Sequence, residues 1–322
     1  MDITGLWTLQ CMMFFMVAAG AVLKKIGILK AEGKGMLTDL VLYFFLPCNI
    51  IHSFQMQFDA SILQRFVIIL AISLIIQLVC YGMSKVFYRN RPDGVRRVMR
   101  YCTLVSNSGF LGLPIAEGVF GAEGMMYASV FIIPMRVMMW SAGIACFTES
   151  PDFKTVMKKI AVHPCIIAVY IGLGLLLLQQ PLGAVYAIVT SLGPVGMIVK
   201  MLLAALQKGI NSAGACTTPS TMILIGMMLA EVKPRDMLNK DAMVITAVRL
   251  VLIPFLVLAG CRIFGISGIV AGVCILISGM PAGSTAPILA SKYNCDYVFG
   301  TKCVVVSTLL SMISIPLWCM AM

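Results

Sequence analysis

The sequence predicts an all-α polytopic membrane protein: ten transmembrane helices form two inverted five-helix repeats, with broken helices 4 and 9 crossing. Three observations carry this reading. The 322 residues are 60% hydrophobic and only 11% charged, with a mean hydropathy of +0.99. Apolar stretches of bilayer length follow one another along the whole chain. Proline-to-proline spacings in the first half recur in the second.

The composition excludes an ordinary water-soluble fold, which carries about 25% charged residues. A spanning helix takes about 20 mostly apolar residues, so this length has room for roughly ten spans and no sizeable soluble domain. Twelve cysteines are scattered through apolar runs without a CxxC pair. That is the pattern of small buried hydrophobes rather than of a disulfide framework. The start, Met1-Asp2-Ile3-Thr4, lacks the basic region of a removable secretory signal. The first apolar run reaches Lys24-Lys25 and reads as a retained span.

The expected spans lie near 5–26, 36–56, 65–88, 101–120, 124–147, 162–180, 210–230, 242–262, 268–290 and 297–320. Between the sixth and seventh, Gly193-Pro194 splits an apolar stretch that Lys200 and Lys208 punctuate, so an interfacial or re-entrant insertion is expected near 181–208. Cytoplasmic ends collect Lys and Arg. With the N-terminus outside, they hold 18 of the 24 basic residues, including Lys24, Arg96, Lys158, Lys233, Arg235 and Lys292. Arg65, Lys200, Lys208 and Arg262 fall on the outer side, and Arg136 and Arg249 within spans. An eleventh span would turn the basic loops at 233–240 and 292–302 outward. The net charge of +11 is thus a record of orientation, not a nucleic-acid footprint. Both termini are expected outside the cytoplasm of a cell whose plasma (inner) membrane the chain crosses repeatedly.

Pro47 and Pro114 are 67 residues apart, Pro219 and Pro287 68. Leu113-Pro114-Ile115 parallels Ala286-Pro287-Ile288, and an acid stands nine residues beyond each proline, Glu123 and Asp296. Thirty residues beyond Pro47 and Pro219 stand Gln77 and Arg249. The halves are 1–160 and 161–322. Five spans in each force the second copy to lie upside down, the inverted-repeat plan of secondary transporters.

The fourth span contains Ser106-Asn107-Ser108-Gly109 before Pro114; the ninth runs from Gly279 through Pro281, Ser284 and Thr285 to Pro287. Proline removes a backbone donor and clashes with the preceding turn, and glycine adds backbone freedom. Both helices should therefore be interrupted near mid-membrane, where unwound backbone must line a cavity or be buried in protein. Half-helix N-termini with hydroxyl and amide side chains suit an anion. Asn49, on the second span, is expected to face the same place.

A central arginine costs about 2.5–3.5 kcal/mol on insertion scales, so Arg136 and Arg249 each need a partner or a wet cavity. Each reads either as positive potential for an anion or as a structural tie. Asp39 and Glu117 are the acids best placed to bind a coupling proton or cation, or else are a helix-start acid and an interfacial residue. Glu123 and Asp296 read as helix caps or else as gating residues, and His163 as a cap or a proton switch. Glycines such as Gly20 and Gly172 to Gly174 should let helices approach closely. No Ser-His-Asp order, zinc spacing or phosphate loop stands out, so neither an enzyme nor a bound cofactor or metal is expected, with proton or sodium coupling left open.

These residues resemble the auxin efflux carrier family, in its bacterial form. Asn107 through Pro114-Ile115 is similar to that family's first crossover, and Pro281 through Pro287 to Asn294 to its second, with one extra residue between the prolines. His163-Pro164 through Leu173 and Arg249 through Pro254 resemble its sixth and eighth spans, His163 standing where plant carriers have Asn. The resemblance implies a scaffold of helices 1, 2, 6 and 7, a transport domain of helices 3–5 and 8–10, and a substrate amide at Asn107. The expectation is a secondary transporter of a small organic anion, a carboxylate, by alternating access. A sodium-coupled symporter of bile-acid-like anions and a membrane sensor on a transporter scaffold are the alternatives. The expected partners are that anion and the lipid bilayer, with a homodimer left open.

Overall fold

A computed structural model describes residues 3–55, 57, 59–147, 153–230 and 239–322. Lys233 and Arg235 of the orientation argument lie outside the described residues.

The described chain is helical throughout, with one isolated β-bridge. The first half contains α1 (Ile3–Lys25), α2 (Ala31–Leu40), α3 (Leu46–Ser53), α4 (Ala60–Phe87), α5 (Asp93–Leu104) and α6 (Leu113–Met138). Then follow α7 (Phe153–Ala161), α8 (Pro164–Leu177), α9 (Gln179–Thr190), α10 (Gly193–Ala215) and α11 (Thr217–Ala230). The chain closes with α12 (Lys240–Ala247), α13 (Ile253–Ile263), α14 (Gly268–Ser278), α15 (Thr285–Lys292) and α16 (Tyr297–Ala321). Among the described residues, six helical stretches are long and apolar enough to cross a membrane. Counting α8 with α9, bent 72° against each other, makes seven.

Five-residue π segments at 41–45, 108–112 and 248–252 lead into α3, α6 and α13. Each is followed, two residues on, by a proline: Pro47, Pro114 and Pro254. A proline cannot donate to the carbonyl one turn back, and a π-bulge takes up the local slip of register. These prolines therefore widen a helix without ending it. Gly121, at φ +68°, divides α6 into the end of the fourth expected span and the start of the fifth.

Two boundaries differ from expectation. The fourth span begins at Asp93 rather than 101, because the basic stretch before it is amphipathic: Val98, Met99, Tyr101 and Cys102 are buried while Asp93 pairs with Arg96 and Arg97. Gly193-Pro194 does not merely interrupt the 181–208 stretch. Gly193 takes φ +57° and Pro194 sits in the first turn of α10, a position that proline favours. The stretch therefore folds as the exposed α9 followed by a 23-residue helix.

Close approach at small residues organises the packing. A Cβ on Gly20 would lie 2.3 Å from the Ile223 carbonyl oxygen, and one on Gly226 2.1 Å from that of Val17, so α1 and α11 touch backbone to backbone. Gly172 packs under the ring of Phe54, joining α8 to α3, and Gly214 of α10 meets Asn49. Gly174, by contrast, faces open space and contributes nothing to close packing. On the other side α4 packs against α5 and α6, α14 against α6, and α12 and α15 against α16. Overpacking costs typically 1–3 kcal/mol. Gly226→Leu should therefore lower the thermal unfolding midpoint of the detergent-solubilised protein, whereas Gly174→Ala should leave it unchanged or raised. Equal midpoints for the two variants would contradict the α1–α11 contact.

Candidate functional site at the crossing of two interrupted helices

α5 ends at Leu104, followed by an extended Val105, and α14 ends at Ser278, followed by a turn at Gly279. The two turns meet. Ser106 and Ala282 form an antiparallel bridge: Asn107 N–H donates to the Pro281 carbonyl at 2.8 Å, and Gly283 N–H to that of Val105 at 3.0 Å. Ala282 N–H donates to Ser307 Oγ at 3.1 Å. A Cβ on Gly283 would stand 3.0 Å from a Val105 methyl and 3.2 Å from the Val105 carbonyl oxygen, so glycine lets the two turns approach without displacing Val105. Backbone groups freed by the prolines thus find partners in one another.

The carbonyls ending both helices point at Arg249. Its guanidinium donates to Thr103 O at 3.1 Å, Ser278 O at 3.2 Å and Met280 O at 3.0 Å, and Nε donates again to Met280 O. The side chain is only 2% exposed. A cation at two helix C-termini complements their partial negative charge as well as their unpaired acceptors. All these contacts are carbonyls, and through them Arg249 ties the ends of the two helices together.

Beside the crossing is a cavity of 310 Å³. Its polar lining comes from Ser106, Asn107, Gly109, Arg136, His163, Ser284 and Thr285, its apolar walls from residues such as Tyr43, Leu46, Phe110, Met139 and Trp140. Among the described residues no carboxylate lines it. Asn107 is 5% exposed, and among the described residues its side-chain amide has no protein partner. Arg136 reaches in from α6: Nη1 lies 2.8 Å from His163 Nε2, and its buried Nε is unpartnered. A Cβ on Gly109 would come 3.1 Å from its Nη2, so glycine leaves the guanidinium room. His163 stands at the N-terminus of α8, its Nδ1 3.3 Å from the Cys165 nitrogen. A neutral imidazole has one acceptor nitrogen, and the guanidinium has the shorter contact. Ser108 does not line the cavity; it shares a hydrogen bond with Ser106 and donates to Ile277 O at 3.2 Å.

Other expected residues lie elsewhere. Asn49 does not face the cavity; its Nδ2 donates to Glu117 Oε2 at 2.7 Å, joining α3 to α6. Its helix turns Leu46 toward the cavity instead. Gly279 packs against Pro254, not against the cavity. Pro281 contributes its carbonyl to the bridge, and Gly300 packs against Pro287. Pro114 follows the π segment below Asn107. Asp39 is exposed on α2. Asp296 caps α16 through Phe299 N–H at 2.9 Å, but Glu123 is no cap: it pairs with Arg65 at 2.9 Å. Sequence reasoning missed Tyr101, whose hydroxyl meets Thr285 Oγ1 at 2.7 Å, and Trp140; both are aromatics in apolar spans without a local signal.

Each buried acceptor stripped of its partner costs about 1–3 kcal/mol. Arg249→Met strands several and should sharply lower the unfolding midpoint, with Arg249→Lys intermediate because one ammonium cannot span all three carbonyls. A midpoint unchanged in Arg249→Met would remove the tie.

A family model described as membrane transport protein matches residues 11–156 and 152–319. Similar chains include an uncharacterized transporter of Methanothermobacter thermautotrophicus, 26% identical over 306 residues. Another, from Methanocaldococcus jannaschii, is 22% identical over 312 residues. The aligned regions cover 94% of each chain in both comparisons. A multi-pass helical membrane protein matched over almost its whole length, this chain belongs to the membrane transport protein family, that of the auxin efflux carriers.

Proposed function

We propose that the chain is a secondary transporter that carries a small organic anion, a carboxylate, through the cavity at the crossing by alternating access. The observation that carries this reading is the pairing of a buried, partnerless amide with a cavity-facing guanidinium in a chamber without carboxylates. Buried polar groups are normally hydrogen-bonded, and Asn107 and Arg136 Nε are left with capacity that a carboxylate would fill. Arg136 supplies charge, Asn107 a donor, and Ser284 and Thr285 further hydrogen bonds. Phe110 and Trp140 accommodate an apolar substrate body.

In this reading the ten apolar stretches are two inverted five-span repeats. Helices 1, 2, 6 and 7 form the scaffold. Helices 3–5 and 8–10 move as a unit around the crossing, which presents the site to either side in turn. The close α1–α11 and α3–α8 contacts support the scaffold, and the Arg249 tie supports the rigidity of the moving unit. The basic-residue bias supports both termini outside the cytoplasm.

Purified protein in proteoliposomes, given labelled dicarboxylates and aromatic acids under imposed proton or sodium gradients, tests the reading. A hydrogen bond to a charged group is worth about 1.5–3 kcal/mol. Asn107→Ala and Arg136→Gln should therefore each weaken apparent affinity roughly tenfold or more, while Asp39→Asn matches the parent. Full uptake in both cavity variants would reject this site. Comparison of the gradients identifies the coupling ion.

A further inference from the structure

A cavity of 730 Å³ lies apart from the crossing and shares no lining residue with the one there. It is formed by the last turns of α13 and α16, the first half of α14, and Val119 and Phe120 of α6. Leu258, Cys261, Ile266, Ala271 and Ile275 make it apolar, with Arg262 on its lining. An entirely apolar cleft of 250 Å³ between α4 and α13 borders it, sharing Cys261 and Ile266.

Arg262 is exposed, and among the described residues no carboxylate pairs with it. Arg65, another basic residue away from the basic-rich ends, differs: Glu123 neutralises it. Arg262 stands at the far end from Lys240 of the apolar stretch Lys240–Ile263, the end at which a spanning helix meets lipid headgroups. Ile263 and Phe264 beside it are 78% and 79% exposed, as residues turned to lipid would be. Ser267 and Gly268 start α14 on the same lining, and Ser267 makes no side-chain cap.

We propose that this cavity binds an anionic phospholipid. The phosphate sits on Arg262 and the uncapped start of α14, one acyl chain fills the cavity, and the other lies along the α4–α13 cleft. A soluble anion would gain nothing from the apolar walls, and an uncharged lipid nothing from an unpaired guanidinium. An anionic lipid uses both, and the bilayer supplies it at this depth.

The test uses the full chain, purified in detergent and titrated separately with phosphatidylglycerol, phosphatidylcholine, a free fatty acid and inorganic phosphate. Binding is read by native mass spectrometry and melting temperature. Phosphatidylglycerol should bind and stabilise more than the other three. A basic residue near an anionic lipid surface is worth about fivefold in affinity, so Arg262→Gln should lose about that factor for phosphatidylglycerol. Lys200→Gln, an exposed lysine on α10, should lose none. A photoactivatable acyl chain on phosphatidylglycerol should label residues 258–275 and, from the cleft, residues 72–79 of α4. Equal binding of phosphatidylcholine, stabilisation reproduced by phosphate or fatty acid, an unchanged Arg262→Gln, or adducts scattered over the lipid-facing surface would each overturn the proposal.

Discussion

A backbone amide inside a bilayer has no water to turn to. That constraint governs the centre of this protein. Two helices are interrupted, one after Leu104 and the other between Ser278 and Thr285, where Pro281 has no N–H to donate. The interruption is tolerable only because the freed groups pair across the crossing. Asn107 and Gly283 donate to Pro281 and Val105, and the carbonyls left over at Thr103, Ser278 and Met280 converge on one guanidinium.

The division of labour between the two buried arginines follows. Arg249 spends its donors on backbone and is thereby fixed in place. Arg136 makes one contact to an imidazole and keeps an unpaired Nε, the capacity on which the proposed function draws. The residue at the offset matching Arg249 in the first half is Gln77, whose buried Oε1 finds no partner. The two halves share a pattern of prolines but not of charges, and the tie is supplied from one of them alone.

Much of this was legible in the chain. Pro281 and the glycines around it marked one interruption directly, and Pro114 and Pro287 pointed to the neighbourhood of both while themselves standing within helix, because local backbone chemistry needs no tertiary information. Insertion cost marked Arg136 and Arg249 as needing partners, and nothing more, since a partner 146 residues away in sequence, as Thr103 is from Arg249, leaves no local trace. The same holds for Asn49 with Glu117, 68 residues apart, and for Arg65 with Glu123, 58 apart: residue type suggested a site and a cap, and tertiary contact made them struts. Gly172 and Gly174 look alike in sequence. Only the arrival of Phe54 beside one of them separates a packing glycine from an idle one.

The central claim is that the turns at Ser106 and Ala282 lie against each other. In an antiparallel pair of this kind, flanked by hydrogen bonds at 105–283 and 107–281, the Cα atoms stand about 4.5 Å apart, within the range that a disulfide spans. With the native cysteines replaced, Ser106→Cys combined with Ala282→Cys should close to an intramolecular disulfide under mild oxidation. Two thiols that stay free under full oxidation in folded protein would place the turns apart and contradict the account.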